Sequence, residues 1–169
     1  MIKFEKQRIA AIGALLRARE ERVSVAESVT AGVVQCAFSQ MEGASDFFAG
    51  GVTAYTIDEK VQILGVDRPL AEECNCVSRE VTEQMAVGVA KLFKKTSWAI
   101  ATTGYATVVD ESEGQLYAFY VIVHQGKVLH SERVVLPLGT SPEEAQYRYA
   151  VMALDSFHES LKHTARKIF

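Results

Sequence analysis

The chain has 169 residues, 49% of them apolar and 23% charged, with a formal net charge of -3. Those proportions describe one ordinary globular domain with a single sizeable core, spanning 1–169. The acidic balance, with Lys and Arg scattered, excludes the basic footprint of a duplex nucleic-acid binder. No apolar run is long enough to span a bilayer, and the start Met1-Ile2-Lys3-Phe4-Glu5 lacks the h-region of a signal peptide.

In chain order, residues 4–20 place Phe4, Ile9, Ile12, Leu15 and Leu16 at helical spacing. Residues 22–27 read as a short buried strand, and a helix is predicted from Thr30 to Met41, closed by Glu42-Gly43. Gly50–Tyr55 reads as a second strand, 57–64 as a short helix ending at Gly65, and Ser78–Lys94 as a helix capped by Ser78. Ser97–Thr103 forms a third strand, followed by the acidic loop 108–114. Gln115–His124 and Lys127–Leu136 are two strands joined by Gln125-Gly126, a tight hairpin connection. A last helix opens at Ser141-Pro142-Glu143-Glu144 and runs to near the C-terminus. The expected fold is α/β, a three-layer α/β/α arrangement with a mixed sheet flanked by helices.

Cys36, Cys74 and Cys76 are an odd number without metal-ligand spacing. A reduced, cytoplasmic setting follows as the expectation. The acidic loop Asp110-Glu111-Ser112-Glu113 reads as solvated and Phe47-Phe48 as core.

Ser28 and Thr30, in E-S-V-T-A-G, sit at a strand-to-helix junction. There, capping alone accounts for hydroxyls. A serine nucleophile needs a base, and none of His124, His130, His158 and His163 lies at a strand end facing this junction. Lys60 follows the second strand and is placed to reach Ser28; a desolvated lysine can serve as that base. Thr103-Gly104 supply a third polar corner. In open α/β sheets, ligands bind at such strand carboxyl ends.

Ordered motifs then match one family. Ala26-Glu27-Ser28-Val29-Thr30-Ala31-Gly32 resembles the A-E-S-C-T-G-G signature of the CinA C-terminal domain family, the nicotinamide-nucleotide amidases. Gly43 to Tyr55 resembles its G-A-S-x-(Y/F)-F-x-G-G-V-x-x-Y segment, Lys60 falls where its Y-S-N-E-A-K places lysine, and Thr103-Gly104-Tyr105-Ala106 is similar to its T-G-I-A-G-P loop. The resemblance covers nearly the whole chain. It implies a hydrolase that releases ammonia from nicotinamide mononucleotide (NMN), with Ser28 and Lys60 as the catalytic pair and Tyr55 as an accessory hydroxyl. Thr30, Ala31, Gly32, Thr103 and Gly104 are the implied substrate-binding residues. The backbone N–H groups of Thr30 to Gly32 suit an oxyanion or a phosphate. No metal and no cofactor are expected. The expected partner is a small-molecule nucleotide, with no nucleic acid and no membrane, and the apolar hairpin is able to serve a homo-oligomer. The family often carries this domain behind a larger N-terminal one, whereas this chain opens with the amidase-like part, which implies a stand-alone form.

The departures are Ala31 in place of the first glycine of T-G-G, a rebuilt 104–114 loop carrying acidic residues, and Ser141-Pro142-Glu143-Glu144 where the family has arginines. They motivate an alternative, a catalytically degenerate member that binds a nucleotide or a partner, and a further one, an amidase whose substrate lacks the phosphate.

Overall fold

The computed structural model describes residues 3–165. The elements run α1 (Lys6–Ala18), β1 (Val23–Glu27), α2 (Val33–Ser39), α3 (Ala44–Phe47), β2 (Phe48–Thr53), α4 (Ile57–Leu64), α5 (Arg68–Glu73), α6 (Arg79–Leu92), β3 (Trp98–Gly104), β4 (Leu116–His124), β5 (Lys127–Leu136) and α7 (Pro142–Ala165). A 3-10 turn occupies Asp110–Ser112.

The sheet has the order β2-β1-β3-β4-β5. β2 and β3 run parallel to β1, while β4 and β5 continue antiparallel. Each strand's alternating side chains feed two separate apolar layers. On one face Val23, Val25, Trp98, Ile100 and Ile122 pack with Ile12, Leu16, Phe38 and Phe157. On the other, Ala26, Ala99, Val121 and Val123 pack with Leu64, Met85 and Val89. The result is the expected α/β architecture, a mixed sheet between two helical layers.

Most predicted elements lie within a few residues of their positions. α4 ends at Gly65, whose φ of 70° is the left-handed helix stop, and Ser78 Oγ accepts from Val81 N–H at the start of α6. Gln125 and Gly126 both have positive φ, 49° and 76°, the pair that a two-residue hairpin turn requires. Two short helices were not legible: α3 and α5, of 4 and 6 residues, are too brief to show a 3.6-residue period. The larger correction concerns α2. It starts at Val33 rather than Thr30, because Ala31 (φ 49°) and Gly32 (φ 100°) hold the chain in a left-handed turn. The last helix, expected to run to near the C-terminus, is described to Ala165, and the residues beyond lie outside the described ones.

Parallel pairing decides where the site lies. Glu27 is in register with Thr53 of β2 and Thr102 of β3, so three strands end on the same edge of the sheet. Past the strand ends the pairing persists: Ser28 N–H donates to Thr102 O at 3.0 Å and Ala54 N–H to Glu27 O at 2.9 Å.

Candidate active site

Ser28 is the first residue beyond β1 and is 7% exposed. α4 follows β2 after a three-residue connection, and Lys60 lies in its first turns, on the buried face that it shares with Leu64. Lys60 is 2% exposed, and its Nζ lies 3.0 Å from Ser28 Oγ and 3.0 Å from Tyr55 O. Burial pushes the amine below its ordinary pKa, opposed by the nearby Cys76 and Glu59 groups. A lysine so placed is able to hold a lone pair toward Ser28 while donating to the Tyr55 carbonyl.

This pair faces a cavity of about 540 Å³ whose walls include Val29, Tyr55, Thr103, Gly104 and Tyr105. That is a volume usual for small-molecule sites. Thr103 is 1% exposed and turns its hydroxyl onto Cys76 O at 2.9 Å, tying β3 to the turn after α5. Cys76 sits on the same wall, and burial pushes its thiol pKa up. Gly104 lines the cavity as well, yet its lack of a side chain serves β4: a Cβ there would stand 2.5 Å from Ala118 Cα. Tyr55 lines the rim with its side chain 69% exposed, and its carbonyl is the group that reaches Lys60.

Thr30, Ala31 and Gly32 do not line this cavity. They wrap instead around Glu27, which is fully buried. One oxygen of its carboxylate accepts from Thr30 Oγ1 (2.6 Å), Gly32 N–H (2.9 Å) and Val34 N–H (3.1 Å), and the other accepts from Gln35 N–H (2.8 Å). The first donors of α2, which a helix otherwise leaves unsatisfied, are thereby taken. Ala31 N–H is spent on Ser28 O. The expectation that amides of Ala31 and Gly32 receive an oxyanion or a phosphate is therefore corrected: an internal carboxylate and a carbonyl already hold them. Val29 and Thr30 N–H make no hydrogen bond among the described residues, and Val29 is on the cavity wall.

Glu27, which organises this turn, was passed over among the sequence candidates. Its signal was present, a carboxylate closing an apolar strand just before a glycine-containing helix entry. Asn75, Tyr105, Glu111 and Gln146 also reach the cavity and carried no readable signal as a group. Glu111, expected to be solvated, is exposed but stands on the cavity rim. Asn75 Nδ2 lies 3.4 Å from Tyr105 OH, whose pKa is raised chiefly by burial. The histidines lie elsewhere; His124, for one, stacks on Trp98 and bonds Glu21.

Residues 5–161 match the sequence profile of the CinA C-terminal domain. The chain belongs to that family. A CinA-like protein of Synechocystis sp. is 38% identical over 157 residues, covering 89% of this chain and 36% of that protein. One from Picosynechococcus sp. is 34% identical over 153 residues, covering 89% and 36%. The chain thus spans just over a third of the length of these curated relatives. Among solved structures, a CinA superfamily protein from Klebsiella pneumoniae superposes with a TM-score of 0.87 at 21% identity, covering 95% of this chain and 99% of that one. A competence damage-inducible protein A from the same species gives 0.86 at 23%, covering 94% and 97%. These two show the CinA fold. Among the described residues no helix is long and apolar enough to cross a membrane.

Proposed function

We propose that this CinA-family protein is a serine-lysine amidohydrolase that converts a pyridine carboxamide, NMN first among those to test, into the acid and ammonia. The observation that carries the reading is a desolvated Lys60 amine 3.0 Å from Ser28 Oγ on the wall of a ligand-sized cavity. Neutral Lys60 accepts the hydroxyl proton as Ser28 Oγ attacks the amide carbon. Val29 N–H, on the cavity wall and without another acceptor among the described residues, is available to the developing oxyanion. The Lys60 ammonium, held by Tyr55 O, returns its proton to the departing nitrogen. Water then hydrolyses the acyl-serine ester, giving the carboxylic acid and regenerating Ser28. The free state of Cys36, Cys74 and Cys76 fits a reducing, cytoplasmic setting.

The test is ammonia release from NMN and nicotinamide by the purified protein, with Ser28→Ala and Lys60→Met beside it. Each variant is expected to lose about 10³-fold or more in kcat/KM. A Ser28→Ala protein with undiminished turnover removes the reading. A wild-type protein that binds a carboxamide and releases no ammonia points instead to a binding domain that keeps the fold.

A further inference from the structure

The charges around the cavity say which carboxamides it accepts, if the serine-lysine reading above holds. Two side chains lining it are formally ionisable to a charge at neutral pH, Lys60 and Glu111, and the mechanism requires Lys60 uncharged. No arginine lines it among the described residues. Arg148 on α7 is committed to Glu144 at 2.5 Å. Arg133 donates to Gln115 at 2.9 Å and lies over the Tyr117 ring at 4.0 Å.

The helix N-termini nearby do not replace those cations. The amides of α2 are held by Glu27. α7 begins with Pro142, which has no N–H, and carries Glu143 and Glu144 in its first turn. α4 carries Asp58 and Glu59 in its first turn. Each N-terminal dipole is thus already met by carboxylates, and a phosphate dianion would add repulsion.

The opposite charge finds partners. Glu111 is presented on a turn locked by Ser112, which is fully buried, with its Oγ donating to Val109 O at 2.8 Å and accepting from Val109 N–H at 3.1 Å. Two tyrosines, Tyr55 and Tyr105, also line the cavity, and aromatic faces attract a cation within about 6 Å. We propose that the site selects cationic, phosphate-free carboxamides, an N-substituted pyridinium carboxamide or its nucleoside, over the phosphorylated nucleotide.

The probes are nicotinamide, 1-methylnicotinamide, nicotinamide riboside and NMN, compared by ammonia release and by calorimetric binding to the Ser28→Ala protein. Riboside is expected to exceed NMN by about tenfold or more in both kcat/KM and affinity. Glu111→Gln is expected to weaken the two cationic probes by about fivefold while leaving nicotinamide within about twofold, an effect that added salt diminishes. Tighter binding of NMN, binding of neither nucleoside nor nucleotide, or an equal effect of Glu111→Gln on neutral and cationic probes overturns the proposal. Absence of ammonia from every probe defeats the hydrolase reading alone, because the binding order on Ser28→Ala still decides the charge preference.

Discussion

Thr30 Oγ1 donates to Glu27 Oε2 across 2.6 Å and lies 2.7 Å from Thr102 Oγ1, so the Thr102 hydroxyl is left to donate into the chain. This buried relay links the ends of β1 and β3 with the turn that follows Ser28. It braces the turn from which the Ser28 hydroxyl faces the cavity. A buried carboxylate is costly unless its lone pairs are met, and here four donors meet them.

Glu27→Gln therefore replaces one acceptor oxygen by an N–H₂ group facing backbone donors. A loss of about 2–3 kcal/mol in urea unfolding is expected, with Thr30→Val costing about 1–2 kcal/mol. Both variants should also lose turnover through misplaced Ser28. A Glu27→Gln protein as stable as the wild type would show that the carboxylate does not organise the turn.

Lys60 gives a pH signature with a definite sign. Burial lowers its pKa in the folded protein, so between that value and the unfolded value of about 10.4 the unfolded chain binds more protons. Stability rises with pH across that window, and the full cost is present below it. Lys60→Met is expected to be more stable than the wild type at pH 7 in urea unfolding, with the gain vanishing as pH approaches about 10.4. Activity should climb with pH on a limb centred below the free-lysine value, since the neutral amine is the base. Flat kcat/KM across pH 6 to 10, as about the range to scan, counts against Lys60 in that role.

What the sequence displayed and what it hid follow from length and direction. Long periodic segments such as α1, α6 and β5 announce themselves because hydrophobic spacing repeats. The Ser28–Lys60 proximity was inferable because parallel strands must end on one edge of the sheet. The α2 entry was not: S-V-T-A-G reads as a helix start, and only the left-handed φ of Ala31 and Gly32 reveals a turn bent around Glu27. Nor could the sequence tell the Tyr55 carbonyl from its hydroxyl, because a residue's letter names its side chain and not which of its groups faces inward.

That distinction gives a prediction for Tyr55. The resemblance implies an accessory hydroxyl, whereas the side chain is 69% exposed and the main-chain oxygen holds Lys60 Nζ. Tyr55→Phe keeps both the carbonyl and the ring, so kcat/KM for any accepted carboxamide should stay within about twofold. A drop of about 100-fold in kcat at unchanged KM would restore the hydroxyl to the chemistry.

Gly88, in the interior of α6, supports the site from a distance. Glycine there costs a helix about 1 kcal/mol relative to alanine on propensity alone, so alanine would be the better residue on an isolated helix. Yet a Cβ at 88 would stand 2.0 Å from Leu64 O and 2.8 Å from Leu64 C, the last residue of α4. Backbone cannot yield as a flexible side chain does, so Gly88→Ala must push α4 away from α6. A net destabilisation of about 3 kcal/mol is expected. Because α4 carries Lys60, the Ser28–Lys60 distance should lengthen and turnover fall even under conditions where the protein remains folded. Gly65→Ala is the comparison, since a Cβ there meets nothing within 4 Å and only its φ of 70° opposes it. That variant should lose about 1 kcal/mol and keep its activity. Urea unfolding and ammonia release on the two proteins side by side separate the cases, and a Gly88→Ala protein no less stable than Gly65→Ala would refute the close α4–α6 approach as the element that sets Lys60.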